Sequence, residues 1–283
     1  MAGTATTPGG TAVGPAPSPA PGRTGRGRAL AGAVALRLSR IALFALVWQV
    51  VTSVVDSFFF PTMTEIVTAF WDTWVAGGDA LDTLGQQFVP SVVRLLTGLG
   101  LATVVGIGVG TLVGRSRTVR EYVEPIMEFL RAIPPPALIP LFLVLLGIGD
   151  AMKVLMIAFG VVWPILLNTI DGVQSVEQLY LDTGRIYGVG RRQQLWRIIL
   201  PAAAPKIFAG LRVSLSIAVI LMVISEMVAT TNGVGFQIIQ AQRTFRVLDM
   251  WAGIFLLGVL GYLLNTALLV VEGRVLHWHR RTS

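Results

Sequence analysis

Residues 181–201 read LDTGRIYGVGRRQQLWRIILP, a polar and basic stretch between two apolar segments that are each long enough to cross a membrane. Its own pattern is helical in two pieces. Val176, Leu179, Tyr180 and Thr183 share one face of a first short helix, Gly188 and Gly190 let the backbone turn, and Leu195, Ile198 and Ile199 supply the apolar face of a second. Two short helices at an angle make a compact knob. Arg185, Arg191, Arg192 and Arg197 around it attract phosphates or an acidic protein surface. The other reading is a basic connection that only sets membrane orientation.

The segments on either side set the class. Of the 283 residues, 54% are hydrophobic and 13% charged, and mean hydropathy is +0.73, more apolar than an ordinary soluble domain. The chain reads as an all-α integral membrane protein with about six transmembrane helices, at 36–56, 91–114, 125–148, 152–170, 206–228 and 250–271. Each has the roughly 20 apolar residues needed to cross about 30 Å of hydrocarbon. An open chain in lipid must be helical to satisfy its backbone, and the short alternating segments of a barrel are not present.

Lys and Arg gather before residue 41, at 115–120, at 185–206 and after 273, so both termini read as cytoplasmic in a multi-pass cell-membrane protein. Residues 1–35 are rich in Ala, Gly, Pro and Thr and read as a disordered cytoplasmic tail. A signal peptide is the competing reading, but Arg37 and Arg40 interrupt its apolar region. After the first span, 57–90 forms an external loop, 91–275 the core, 171–206 an inner loop within it and 276–283 a cytoplasmic tail. In the external loop Thr62 and Glu65 have capping-box spacing, and Ile66, Phe70 and Trp74 recur at helical spacing. That helix lies in the outer interface or packs as a short core helix. Gly98, Ala102, Gly106, Gly110 and Gly114 form a small-residue stripe along which another helix can approach.

Several chemistries are disfavoured. The chain has no cysteine, its two histidines fall in the terminal HWHRR, and no metal-ligand cluster is apparent. It carries no G-x-x-x-x-G-K-[ST], so no nucleotide is cradled. The net charge of +7 serves topology and needs no nucleic acid.

In the opening stretch, Asp182-Thr183-Gly184 is followed after three residues by Gly188, after nine more by Ile198, and then by Leu200-Pro201. This resembles the EAA loop of bacterial ATP-binding cassette importer permeases: E-A-A, three residues, G, nine residues, I, any residue, L-P. The first element departs from that form, since Gly184 weakens a helix by about 1 kcal/mol against alanine. FLRAIPPPALIPLFLVLLGIGD at 129–150, VVWPILLNTIDGVQSV at 161–176, LPAAAPKIFAGLR at 200–212 and SEMVATTNGVGF at 225–236 are similar to the nitrate, sulfonate, taurine and bicarbonate branch. The likeness covers roughly 57–275.

The resemblance implies a type I permease fold that dimerises with a second copy. It implies coupling to a cytoplasmic ATPase dimer through Asp182, Thr183, Gly184, Gly188, Arg191, Arg192, Ile198, Leu200 and Pro201. It also implies that a small solute arrives from an external binding protein or lipoprotein. ATP and Mg then sit on the partner, and this chain is neither an enzyme nor the holder of a cofactor. Two rivals from other classes are a self-contained secondary transporter and a membrane enzyme acting on lipid-linked phosphates. The first should show internal repeats. The second needs clustered carboxylates, to which Asp171, Glu177 and Asp182 are the nearest approach.

Polar groups within the spans complete the reading. Pro134, Pro135 and Pro136 must break or bend the third span, so that with Ala137 and Leu138 they wall a substrate path or merely kink a helix. Glu128 and Arg131 lie three apart and read as a structural ion pair in preference to an anion site at Arg131. Asn168 and Glu226 are assigned to the path. Glu226 has a second reading, at the outer boundary beside Arg243 or Arg246.

Overall fold

In the computed structural model, which describes residues 23–228 and 230–277, the chain is helical and contains no strand among those residues. Helix α1 (Arg23–Val55) starts inside the segment expected to be an unstructured tail. After Pro21 and Gly22 the sequence turns to Ala- and Leu-rich residues without a proline, which favours helix. The first 22 residues of that expected tail lie outside the described residues, as does most of 276–283. The apolar part of α1, Ser39–Val55, spans 17 residues. This helix forms one unit, and the chain from Asp56 onward forms another.

The second unit is built from α2 (Met63–Trp71), α3 (Ala80–Arg115), α4 (Arg117–Ala132), α5 (Pro135–Leu146), α6 (Asp150–Gln174), α7 (Gln178–Ile186), α8 (Arg191–Val228), α9 (Val234–Arg243) and α10 (Val247–Val275). Among the described residues α3, α6, α8 and α10 are each long and apolar enough to cross a membrane unbroken. The expected break of the span 125–148 at its prolines is present as a pair of helices, α4 and α5, bent by 84°, with α4 starting earlier than expected, at Arg117. Prolines explain the bend: Ile133 and Pro134 take extended backbone, with ψ 118° and 123°, before α5 opens in a 3-10 turn. Helix α4 is itself amphipathic, carrying Arg117, Arg120, Glu121, Glu124, Glu128 and Arg131 along one stripe.

Helix α6 is the centre of the bundle, with α3 and α8 packed along it. Half of its most apolar window is buried within the chain, against 11% for α10. The small-residue stripe of α3 explains the tight α3–α6 pairing. A methyl group at Gly98 would stand 2.8 Å from Ile157 Cγ2, and one at Gly106 would stand 2.9 Å from Ile165 Cγ2. Leu95, Met156, Ile157, Val161, Ile165 and Met222 fill the core between these helices.

Two prolines sit near the starts of the longest helices without breaking them. The turn before each is a π turn: Val89 N–H bonds Leu84 O, and Leu200 N–H bonds Leu195 O, five residues back in each case. The wider turn accommodates Pro90 and Pro201, which lack an N–H. The capping box of α2 is formed: Thr62 N–H donates to Glu65 Oε2 at 2.8 Å and Glu65 N–H to Thr62 Oγ1 at 3.4 Å. The Thr62 backbone N–H, with help from the hydroxyl, holds the Glu65 carboxyl below its ordinary pKa. The apolar face of this segment meets protein. Ile66 and Trp74 are buried, and Trp74 joins Val234, Ile238, Ala252 and Leu256 in one cluster.

Candidate functional site

The knob begins with α7, which ends in a Schellman turn. Val189 N–H donates to Gly184 O at 2.8 Å and Gly188 N–H to Arg185 O at 3.0 Å, with Gly188 at φ +70°. The second piece departs from expectation. It is not a separate short helix, because Arg191 onward runs without a break into the 38 residues of α8. At 1.5 Å per residue α8 is roughly 57 Å long, about twice the hydrocarbon thickness, so its basic first turns lie beyond the lipid.

Side chains lock the two helices. Gly184 is buried, and a methyl group there would stand 3.0 Å from Ile198 Cδ1, so the motif glycine and isoleucine meet face to face. Gln194, also buried, donates from Nε2 to Leu181 O at 2.8 Å. Sequence reasoning missed this residue, since a glutamine among arginines looks like ordinary surface. Asp182 is held within its own helix by Arg185 at 2.9 Å and Gln178 at 3.1 Å. Thr183, Gly188, Arg191 and Arg192 are exposed or half-buried, as are Leu200 and Pro201. What faces outward is apolar as well as basic: Leu179, Tyr180, Ile186, Tyr187 and Trp196 are all exposed, Tyr187 at 82%.

The α4–α5 break is the second feature. Pro134 and Ala137 are exposed, and Pro135, Pro136 and Leu138 are half-buried. Pro135 packs at Gly160 of α6, where a methyl group would stand 3.0 Å from the ring. Beside the break a cavity of about 600 Å³ is lined by Glu128, Arg131, Ala132, Gly160, Trp163, Pro164 and Leu167. The Glu128–Arg131 pair is present at 3.4 Å, with side chains 63% and 46% exposed within this chain. Such a pair contributes at most about 1 kcal/mol. Asn168 does not line this cavity. Its Nδ2 donates to Pro164 O at 2.8 Å in its own helix, and its Cβ fills the close approach of α6 to Gly210 of α8.

Glu226 is fully buried, and its partner is Arg94, not Arg243 or Arg246. Arg94 Nη1 donates to Glu226 Oε1 at 2.7 Å, Ser91 Oγ to the same oxygen at 2.8 Å and Gly235 N–H to Oε2 at 3.0 Å. Arg94 also reaches Asp150 Oδ1 at 2.7 Å and Asn232 Oδ1 at 2.6 Å, while buried Lys153 lies 3.8 Å from Asp150. Two cations thus meet two carboxylates, joining α3, α6, α8 and the loop before α9. A buried carboxylate is tolerable only with such a full set of donors. Gly233, at φ +119°, leaves no room for a side chain, since a methyl group would overlap Glu226 Cδ. Arg94 and Glu226 are opposite charges in separate apolar spans, and the cost of leaving either alone was the signal that could have paired them.

The helical bundle thus carries an exposed apolar and basic knob and, apart from it, a broken helix beside an open, largely apolar groove. The chain belongs to the family of the binding-protein-dependent transport system inner membrane component, whose pattern matches residues 102–277, and is thus a permease of the ATP-binding cassette importers. It is 32% identical to the taurine transport system permease protein TauC of Escherichia coli, over 87% of this chain and 90% of that protein. It is 31% identical to the putative aliphatic sulfonates transport permease protein SsuC of Bacillus subtilis, over 84% and 85%. The nitrate import permease protein NrtB of Synechocystis is 31% identical, over 83% and 86%. Among solved structures, the inward-facing MetNI methionine ABC transporter matches with TM-score 0.60 at 20% identity, covering 71% of this chain and 99% of that one, a likeness of fold. As a permease the chain is not an enzyme, and ATP hydrolysis belongs to its ATPase partner.

Proposed function

We propose that this chain imports a small solute bearing an acid group, such as a sulfonate, taurine or nitrate, in a complex with a second copy of itself and a cytoplasmic ATPase dimer. An external binding protein or lipoprotein delivers the solute on the side of residues 57–90, and both termini are cytoplasmic. The names of the relatives support the solute class. The observation that carries the coupling role is the knob at 178–200, where a buried Gly184–Ile198 contact and the Gln194 bond fix an exposed surface of Leu179, Tyr180, Ile186, Tyr187 and Trp196. Exposed aromatic and aliphatic groups ringed by arginines suit a protein cleft better than water or lipid headgroups. Pro134 to Leu138 form a wall of the path. The test is purification of the tagged chain in mild detergent. An ATP-binding polypeptide in about equal amount is expected, and a chain that purifies alone in a folded state contradicts the proposal.

A further inference from the structure

Helix α4 has two apolar faces, and the bundle uses one of them. Val123 and Met127 pack against Val113 of α3 and Leu166 and Ile170 of α6. Beside that face Val119, Tyr122, Ile126 and Phe129 are 41%, 78%, 58% and 70% exposed. Their 3-4-3 spacing is that of the a and d positions along a seam between helices. Thr118, Pro125 and Ala132, seven residues apart and all exposed, run along the edge of the same stripe. Side chains this small let a second helix lie close, with the larger groups fitting around it.

The charges of α4 bear on what covers that stripe. Its three arginines and three glutamates lie on the arc opposite the stripe, and they sum to zero. A helix lying on lipid headgroups carries an excess of Lys and Arg to meet anionic lipid. This helix has no such excess, and small uncharged residues stand along one edge of its apolar face where basic groups would snorkel. We propose that a second copy of the chain docks on this stripe, α4 against α4 about a two-fold axis. An isologous contact needs a surface that fits itself, and an apolar seam with small neighbours does so without bringing like charges together. This inference rests on the reading of the chain as one of two permease copies and names the face that joins them.

The experiment uses the full chain in membranes of the producing cell, and the sequence has no cysteine of its own. Single cysteines replace Tyr122, Ile126 or, on the opposite arc, Glu124, and are oxidised with copper phenanthroline. A side chain near a two-fold axis meets its own copy, so Tyr122→Cys or Ile126→Cys is expected to give about tenfold more disulfide-linked pair than Glu124→Cys. Carrying bimane in vesicles of brominated phosphatidylcholine, the same two variants are expected to be quenched no more than Glu124→Cys. Strong quenching at both positions means that lipid covers the stripe and overturns the proposal, as does a disulfide to a chain of different mass. Light scattering of the detergent-purified importer separates the two ideas. Two copies per particle with no linked pair at either position removes this face and keeps the paired permease, whereas one copy per particle removes both.

Discussion

Gln194 donates from Nε2 to the main-chain carbonyl of Leu181 at 2.8 Å, thirteen residues back along the chain and on the other side of the turn at Gly188. This bond ties the short helix α7 to the start of α8, a helix that runs on through the membrane bundle. The knob is therefore continuous with the helix that packs against α6. Gln194→Leu keeps the volume and removes the donor, at about 1 kcal/mol. Hydrogen exchange should read this as roughly fivefold faster exchange of amides in 178–190 with the rest of α8 unchanged. Unchanged exchange there means the tie is idle.

Gly188 adopts φ +70° in open space, with no atom within 4 Å of where a Cβ would stand. The cost of a side chain there is conformational and not steric. Gly188→Val should destabilise the turn by roughly 1–3 kcal/mol and uncouple ATP hydrolysis from uptake, whereas Gly188→Asn should retain much of the uptake because asparagine tolerates this region. Equal loss in both variants would show that bulk, and not backbone, matters at this position.

Gly184 makes the opposite case. A methyl group would stand 3.0 Å from the tip of Ile198, so alanine gains about 1 kcal/mol of helix propensity while Ile198 gives way slightly. Gly184→Ala should leave the melting temperature and uptake within a few degrees and about twofold of the parent. Gly184→Val puts two more methyl groups into the contact and should lose uptake with the chain still inserted in the membrane.

Glu226 and Arg94, 2.7 Å apart and both buried, should behave as a unit. Arg94→Gln or Glu226→Gln alone leaves an uncompensated charge and should cost roughly 3–5 kcal/mol, visible as loss of folded protein from membranes. The double variant Arg94→Gln/Glu226→Gln should recover much of that yield. Yields that simply add in the double variant mean the two charges do not stabilise each other.

The sequence revealed some of these features more clearly than others. The knob and the proline break were legible because glycines, prolines and helical spacing act locally, and the stripe from Gly98 to Gly114 was legible as a contact face though its partner, α6, was not. Apolar periodicity carried α6 and α10 closely. Within 125–148 it located the break but not the start of α4 at Arg117 or the charged stripe that α4 carries, which the apolar residues of α5 averaged away. The Arg94–Glu226 pair and the Gln194–Leu181 bond join residues far apart or across a turn, and no local pattern specifies such partners.

The central claim is that the knob at 178–200 is where the ATPase docks. Tyr187 stands 82% exposed at its tip, in a chain that has no cysteine, so Tyr187→Cys carries a unique thiol at the proposed interface. Its cross-linking in native membranes with a short reagent bearing one thiol-reactive and one photoreactive end, compared with Leu81→Cys on the segment proposed to be external, is the most direct measurement. The account predicts an adduct between the Tyr187→Cys variant and an ATP-binding polypeptide, altered in yield by ATP with vanadate, and none from the Leu81→Cys variant. An adduct of that polypeptide with the Leu81→Cys variant, or its absence from the Tyr187→Cys variant in a membrane where the two proteins co-purify, contradicts the claim.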